Sequence, residues 1–361
     1  MSSCFGNKIR VSLFGESHGK GIGIVIDGIG PGILFPAESV RGMMDRRKPG
    51  GPLVTKRTEG DAYEIISGVK DGYTTGSPMC VIIQNTDTRS NDYNETLSVP
   101  RPGHADYTGH VKYRGYNDLR GGGHFSGRLT APLVFAGALF KSLLAEKGIV
   151  IVSHLLQVGD VEDEPLDELA YEPGTEQKIL GNILPFLSSE QAGKAADLIQ
   201  RVQQDRDSVG GVIETGIYGL PAGIGEPFFG SVESILAGLM FSIPGVKGVD
   251  FGKGFDLARM RGSGANDAFH MAGDEVRTST NHMGGVLGGI TNAMPVLFKV
   301  AAKPTSSIGK TQESVDLESR ENTRLDVKGR HDPCIAVRMV PVVEAMAALG
   351  IYELMEEGKN G

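Results

Sequence analysis

The N-terminal part of the chain alternates apolar stretches with glycine-rich turns, which predicts strands joined by tight loops. Residues 8–14 alternate polar and apolar side chains, as a half-buried strand does. A glycine loop at 15–21 separates this strand from an apolar strand at 23–27. The spacing then predicts a helix at 36–47 and strands at 63–69 and 79–84.

Longer helices are predicted further along the chain. The segment 129–147 is apolar on most faces and stops at Gly148, which predicts a buried helix. Ser188 and Gln191 are spaced as a capping box at the start of an amphipathic helix over 188–205. Further helices are predicted at 232–240 and 341–357, and further strands at 149–155, 212–218, 246–251 and 296–301.

The irregular alternation of strands and helices predicts an α+β or mixed α/β fold. No linker divides the sequence, so residues 1–361 are predicted to form a single large domain. Segment 85–124 shows little periodicity and is predicted to be a long functional loop. The acidic segment 160–178 is predicted to be solvated surface. Similar glycine-rich stretches follow Ser17-His18 and Asn281-His282, which leaves an internal pseudo-repeat open.

Composition limits the class of protein. The 52 glycines and 18 prolines among 361 residues indicate many turns, yet they stay below the share typical of low-complexity chains. A net charge of −8 argues against generic binding to nucleic acid or to an anionic membrane. Three scattered cysteines without metal-ligand spacing predict a reducing compartment and no metal. Without a signal peptide or spanning segment in the sequence, the protein is predicted to be cytoplasmic.

The first candidate for chemistry is the loop G-E-S-H-G at 15–19. It fits the G-x-S-x-G nucleophile elbow of serine hydrolases, which needs a helix after the serine. The segment after this loop is predicted to be a strand, so the hydrolase interpretation is disfavoured. Two interpretations stay open: a tight glycine turn, and a loop that presents Ser17 and His18 for chemistry.

A second candidate is the basic group Arg41, Arg46, Arg47 and Lys48 on the first predicted helix. Cations near a helix C-terminus stabilise any helix, so a structural role is at least as good for each one. As a group they suit a phosphate or carboxylate, because the guanidinium binds such anions through two parallel hydrogen bonds.

Three more segments suit anion binding. Three glycines at 121–123 precede the helix predicted at 129, where backbone amides and the helix dipole favour an anion. Lys303 and the hydroxyls that follow it suggest a phosphate cradle. The segment Arg330-His331-Asp332-Pro333-Cys334 suggests the wall of a site, with a helix cap or an ion pair as the alternative. A Rossmann domain is disfavoured because no G-x-G-x-x-G is followed by a helix.

These segments, in this order, resemble the chorismate synthase family over about 5–349. The segments that carry the resemblance are F-G-E-S-H-G at 14–19, R-P-G-H-A-D-Y-T at 101–108, R-G-G-G at 120–123, N-H-x-G-G-x-L-G-G-I at 281–290, K-P-T-S-S at 303–307 and G-R-H-D-P-C at 329–334.

The resemblance implies conversion of 5-enolpyruvylshikimate 3-phosphate to chorismate and phosphate by an anti-1,4-elimination. It implies reduced FMN as cofactor without net redox change, an external flavin reductant, a β-α-β sandwich fold and a homotetramer. A serine hydrolase built on Ser17 and a non-catalytic flavin- or phosphate-binding protein are the alternatives.

The resemblance also implies roles for individual residues. His18 matches the general acid beside the phosphate, and His104 matches the histidine at the reduced flavin. The remaining catalytic positions are Ser17, Ser126 and Asp332. The positions matched to substrate binding are Arg41, Arg47, Arg101, Arg128 and Arg330.

For FMN, the matched positions are His124, Phe125, Ser126, Gly245, Gly288, Lys303, Pro304, Thr305, Ser306, Ser307 and Arg330. Arg47 also matches a nicotinamide phosphate contact, which implies NADP as a ligand. The sequence departs from the family pattern at His124-Phe125, where Arg-Ser is common, and at Pro244-Gly245, where Asn-Ala is common.

Overall fold

The computed structural model describes residues 3–48, 60–86, 98–327 and 331–358. One outer layer is an antiparallel five-stranded sheet. Its spatial order is β1 (Cys4–Phe5), β2 (Arg10–Gly15), β3 (Gly21–Asp27), β7 (Met79–Gln84) and β4 (Tyr63–Ser67). The sheet contributes Ile22, Ile24 and Ile26 from one strand to the core, because every second residue of β3 points inward.

A second antiparallel sheet of five strands forms the opposite layer. Its spatial order is β11 (Val246–Phe251), β16 (Val296–Ala302), β10 (Gly211–Tyr218), β8 (Val150–Val158) and β9 (Val161–Glu162). Phe298 and Val300 on β16 are buried, and they face the same side of the sheet. Each sheet therefore presents an apolar face to the interior.

Helices fill the space between the two sheets. They are α1 (Ala37–Arg47), α3 (Thr130–Ala145), α6 (Val232–Ser242) and α8 (Ala336–Glu357). Helix α3 packs against β3 and β7, α8 packs against β8 and β10, and the two helices pack against each other. A Cβ at Gly137 would overlap Ala345, so glycine permits this close approach. The arrangement is a β-α-β sandwich, as the resemblance implied.

The middle layer also holds a buried ionic cluster. Glu344 of α8 accepts hydrogen bonds from Arg46 of α1 at 2.9 Å and from Lys141 of α3. Burial alone would raise the pKa of this carboxyl group, but the two cations lower it to about 2. Arg46, one of the four basic residues considered for anion binding, thus ties helices together instead.

The described residues also form four two-stranded sheets and several shorter helices. Two-stranded pairs are β5 (Val69–Lys70) with β6 (Tyr73–Thr74), β12 (Phe269–Ala272) with β13 (Glu275–Thr278), β14 (Val286–Leu287) with β15 (Ile290–Thr291), and β17 (Gln312–Asp316) with β18 (Glu321–Leu325). The other helices are α2 (Asp106–Tyr113), α4 (Thr175–Gly181), α5 (Ser189–Gln204) and α7 (Gly262–Ala265). The apolar helical segment Gly127–Ala145 is long enough to cross a membrane, but 83% of it is buried inside the protein.

The α+β prediction is confirmed, and three local predictions are wrong. Helix α8 begins at Ala336, five residues before the predicted start, and accommodates Pro341 in its second turn. Segment 85–124 is not loop throughout, because it contains α2. Segment 160–178 is not all solvated: Asp163 lies buried beside His154, and α4 begins at Thr175.

Candidate active site

A cavity of about 1560 Å³ opens beside the middle helices. Its walls come from the segment 101–130, from α6 and the loop after it, from 303–307 and from the start of α8. The predicted site residues that line it are Arg47, Arg101, His104, His124, Phe125, Ser126, Arg128, Gly245, Lys303, Pro304, Thr305, Ser306, Ser307 and Asp332. Most of the residues singled out from sequence therefore meet at one place.

A few predicted site residues lie elsewhere. Arg41 is exposed on α1, and Gly288 is exposed in the turn between β14 and β15; neither lines the cavity. Ser17 and His18 do not line it directly: His18 lies against Gly121, which does, and Ser17 lies 3.3 Å from the ring of His18. Arg330 lies outside the described residues.

The triple glycine brings the two predicted catalytic histidines together. Gly121, Gly122 and Gly123 have φ values of 59°, 94° and 55°, a region that glycine enters without strain. A Cβ at Gly121 would overlap the ring of His18, and one at Gly122 would lie 3.3 Å from Cε1 and Nε2 of His104. The glycines therefore leave room for both imidazoles, which is a different role from the predicted anion cradle.

His104 is held by a buried ion pair. Its Nδ1 lies 2.6 Å from Oδ1 of Asp106. Arg101 donates to both oxygens of the same carboxylate, at 2.7 and 2.8 Å. Burial would raise the pKa of Asp106, but these hydrogen bonds outweigh it and hold the pKa well below its usual range. A permanently ionised carboxylate thus fixes one ring nitrogen of His104 and leaves the other for chemistry.

The G-E-S-H-G loop is held in place by hydrogen bonds from a residue outside the loop. The side-chain amide of Asn85, just after β7, donates to the carbonyls of Glu16 and Gly19 at 2.9 and 3.0 Å. The hydroxyl of Ser17 lies 3.3 Å from Nδ1 of His18, and Ser17 is 5% exposed. The loop connects two antiparallel strands and no helix follows it, so the nucleophile-elbow interpretation is wrong.

The cavity also carries a carboxylate close to His18. Asp118 accepts hydrogen bonds from the backbone and side chain of Arg120, at 2.7 to 3.0 Å. These bonds lower the pKa of Asp118, burial opposes them, and the charge of His18 adds a smaller lowering effect.

Two of the predicted substrate arginines share a single carboxylate. Arg47 donates to Asp61 at 2.6 Å and to Thr130 at 3.0 Å, and Arg128 donates to the other oxygen of Asp61. Arg47 is 2% exposed and Arg128 is 5% exposed. Arg128 also bonds Asn85, at 3.2 Å. Both guanidinium groups are thus held rigidly at the cavity wall by partners within the chain.

The loop after β16 joins the loop before α2. The ammonium of Lys303 donates to the carbonyl of Gly103 and to the hydroxyl of Ser306, the latter at 2.6 Å. Ser306 itself donates to Gly103 at 2.8 Å, and Arg101 donates to Ser307 at 3.2 Å. Oγ1 of Thr305 is buried and has no hydrogen-bond partner among the residues that the structure describes. A cation, hydroxyls and an unsatisfied polar atom together suit a phosphate group.

The remaining lining residues mostly hold the walls in place. His124 uses both ring nitrogens, one at 2.8 Å from the Gly15 carbonyl and the other at 2.9 Å from the Ser3 hydroxyl. Phe125 packs against Tyr113 with ring centroids 6.1 Å apart. The hydroxyl of Ser126 accepts from the backbone N–H of Arg128 at 3.3 Å.

Asp332 lies just before α8 and pairs with Arg338 at 3.2 Å. The segment after it is the first turn of this helix. Arg338 also donates to the carbonyl of Arg47 at 3.2 Å, so the pair links α8 to the end of α1.

Sequence reasoning missed several residues at this site. Asp61, Asp118, Lys247 and Arg338 all lie in the cavity wall or bind residues that do. Asp61 carried no signal because it stands in an unpatterned segment. Arg338 carried no signal either, because Asp332 precedes helix α8 and a separation of six residues is not the spacing of a helical side-chain pair.

The chain is similar to known proteins over nearly its whole length. The sequence model of chorismate synthase matches residues 9–355. Chorismate synthase of Korarchaeum cryptofilum is 42% identical over 99% of this chain and 98% of its own length, and that of Thermococcus gammatolerans is 45% identical over 95% and 94%. A solved crystal structure of chorismate synthase superposes with a TM-score of 0.75 at 28% identity, covering 99% of this chain and 94% of that one. The chain therefore belongs to the chorismate synthase family.

Proposed function

We propose that the cavity is where this chain eliminates phosphate from 5-enolpyruvylshikimate 3-phosphate to give chorismate, with reduced FMN as cofactor. The reaction is a lyase reaction on a small-molecule substrate. The allylic carbon–oxygen bond breaks, a hydrogen leaves elsewhere in the ring, and a second ring double bond forms. Redox state does not change overall.

The observation that carries the proposal is the pair of histidines at the triple glycine. His18 lies against Gly121 and His104 lies against Gly122, so two proton-transferring groups act next to the same cavity wall. Departure of a phosphate and of a hydrogen calls for proton transfer at two places. General acid–base groups typically contribute about 10²–10⁴-fold each.

The cavity residues fit FMN together with substrate. A volume of about 1560 Å³ exceeds the roughly 300–1,000 Å³ typical of a site for one small ligand. Lys303, Ser306 and the unsatisfied hydroxyl of Thr305 suit the cofactor's phosphate. Apolar residues such as Phe125 and Leu239 offer walls to a planar ring. When bound, the reduced flavin supplies electron density that assists carbon–oxygen cleavage and is returned within the cycle.

We assign the following work to the chain's own residues. His18 donates a proton to the departing phosphate. His104, fixed at Nδ1 by Asp106, holds or delivers a proton at Nε2 on the flavin side. Ser17, 3.3 Å from the ring of His18, and Asp332, paired with Arg338, support proton movement.

The arginine side chains are held in fixed positions in the cavity wall. Arg47, Arg101 and Arg128 enter the cavity wall with carboxylate partners already in place, so their remaining N–H groups are aimed before substrate arrives. The 2% exposure of Arg47 favours this structural use over contact with a nicotinamide phosphate. A homotetramer, a cytoplasmic location and an external source of reduced flavin complete the proposal.

The test is an anaerobic assay with reduced FMN and enolpyruvylshikimate phosphate, followed by the diene absorbance of chorismate. We expect many turnovers per flavin. His18→Ala and His104→Ala should each lower the single-turnover rate by about 10²–10⁴-fold with smaller effects on substrate binding. His270→Ala, on an exposed strand away from the cavity, is the matched control. One chorismate per flavin, or wild-type rates in both variants, would contradict the proposal.

A further inference from the structure

Lys247 occupies an irregular position at the edge of the second sheet. Strand β11 pairs with β16 through Val246 opposite Ala302 and Gly248 opposite Ala301, so Lys247 between them is an extra, bulged residue. Bulges of this kind redirect a side chain and are frequent next to active sites. Lys247 lines the cavity, as does Lys303 on the paired strand's extension.

The two lysines form a pair of like charges. The backbone N–H of Lys303 donates to the Gly245 carbonyl at 2.9 Å, which brings the two segments together. Burial lowers the pKa of Lys303, and the charge of Lys247 lowers it further. Within the described ranges, no carboxylate oxygen lies within 4.0 Å of either ammonium group. The arginines of the cavity, in contrast, have carboxylate partners.

Among the described residues the two lysines have no carboxylate partner, and two such cations in a cavity wall suit a doubly charged anion. The hydroxyl of Ser306, 2.6 Å from the Lys303 ammonium, adds a neutral hydrogen-bonding group at the same place. A phosphate monoester carries close to two charges at neutral pH and three acceptor oxygens. Its binding would remove the repulsion between the lysines as well as add attractive contacts.

We propose that Lys247, with Lys303 and Ser306, binds a phosphate monoester and so selects phosphorylated ligands over their unphosphorylated forms. This inference rests on the proposed function, which offers two such esters: the terminal phosphate of FMN and the phosphate of the substrate. The chemistry at the lysines is the same for both. Lys247 was not among the residues that the sequence pointed to.

The experiment measures equilibrium binding to the full chain. The difference in Kd between oxidised FMN and riboflavin measures what the cofactor's phosphate contributes to binding. The difference in Kd between enolpyruvylshikimate phosphate and its dephosphorylated form measures what the substrate's phosphate contributes. The variants are Lys247→Met, which keeps the length and loses the charge, and Lys247→Arg. Lys70→Met, on exposed strand β5 outside the cavity, is the control.

We expect Lys247→Met to raise Kd for one phosphate ester about tenfold or more, the effect of losing one charge-assisted hydrogen bond. Kd for the matching unphosphorylated ligand should not change, and Lys247→Arg should restore most of the affinity. If only FMN loses affinity, Lys247 binds the phosphate of the cofactor. If only the substrate loses affinity, Lys247 binds the phosphate of the substrate. Equal Kd values for wild type and Lys247→Met with both esters would overturn the inference while leaving the proposed function standing. A wild-type chain that binds both esters yet forms no chorismate would instead refute the proposed function.

Discussion

A methyl group at Gly121 should disable His18 specifically. A Cβ there would overlap Cε1 and Nδ1 of His18, and even Nε2 would lie 3.1 Å away. Nonbonded carbon atoms rest about 3.5–4.0 Å apart, so the ring must move by roughly 1 Å or more. A misplacement of about 1 Å can cost about 10²-fold in rate. We therefore expect Gly121→Ala to lower kcat about 10²-fold.

Gly122→Ala separates this effect from backbone strain. Gly121 and Gly122 both have positive φ, so each alanine adds a strain of about 1–2 kcal/mol. At Gly122, however, the new Cβ would lie 3.3 Å from the ring of His104, a distance that a small shift relieves. Gly42→Ala, in α1 with open space around it, controls for the substitution itself.

The assay is single-turnover formation of chorismate with prebound reduced FMN, beside thermal unfolding of each variant. The rate should fall most for Gly121→Ala, less for Gly122→Ala and not at all for Gly42→Ala, while the first two melt similarly. Equal rates for the two strained variants would refute the reasoning, because strain alone would then explain the loss.

Three further outcomes follow from buried charges. Asp106→Asn should lower kcat about 10²-fold with little change in KM, because His104 loses the carboxylate at 2.6 Å; Asp106→Glu should recover part of the rate, and a purely structural role would melt both variants early without that recovery. Asp332→Asn should keep FMN and substrate binding and the melting temperature while turnover falls; early melting would place Asp332 in the scaffold with Arg338 instead. Burial opposes charge on His154, but Asp163 and Glu214, at 3.4 and 3.1 Å, raise its pKa above the ordinary 6.5. The charged ring therefore stabilises the fold fully below about pH 6.5, and this stability is lost as pH rises through the higher folded-state pKa. Urea unfolding of wild type and His154→Gln across pH 5 to 9 checks this, and parallel curves would contradict it.

The sequence predicted most strands of the two five-stranded sheets because these strands carry a strong local signal. Strands β7 and β11 begin and end where alternation and apolar runs placed them. Helix α8 begins earlier than predicted, and Pro341, the residue at the predicted start, lies in its second turn. Helix α2 was missed because its eight residues include a glycine and few apolar side chains, so its stability comes from packing.

Site residues could be predicted where they stand in short sequence motifs. Hydrogen-bond partners that come from distant segments of the chain could not. His18, His104 and Lys303 stood out by motif, and the structure places them at or against one cavity. Asp61 could not be predicted from a motif, because its role is to accept hydrogen bonds from two arginines that lie on other elements. Arg41 shows the reverse: a basic residue in the right motif lies exposed, away from the cavity.

The pairing of charges explains how an acidic chain keeps an anion-binding cavity. Each buried arginine at the wall has a carboxylate in contact, Asp106 for Arg101 and Asp61 for both Arg47 and Arg128. A buried guanidinium without such a partner would cost several kcal/mol, so these pairs make the arginines tolerable in the fold. Because one carboxylate serves two arginines, this group keeps a net positive charge. Lys247 and Lys303 add more positive charge, and neither has a carboxylate partner within the part of the chain that the structure describes. Under the proposed function, attraction for a phosphate ester comes chiefly from the lysines and histidines, while the paired arginines supply fixed geometry. Side chains that are held in place before the ligand arrives lose little conformational entropy when it binds, so binding is tighter. The same fixed positions orient the reacting groups, so the reaction is faster.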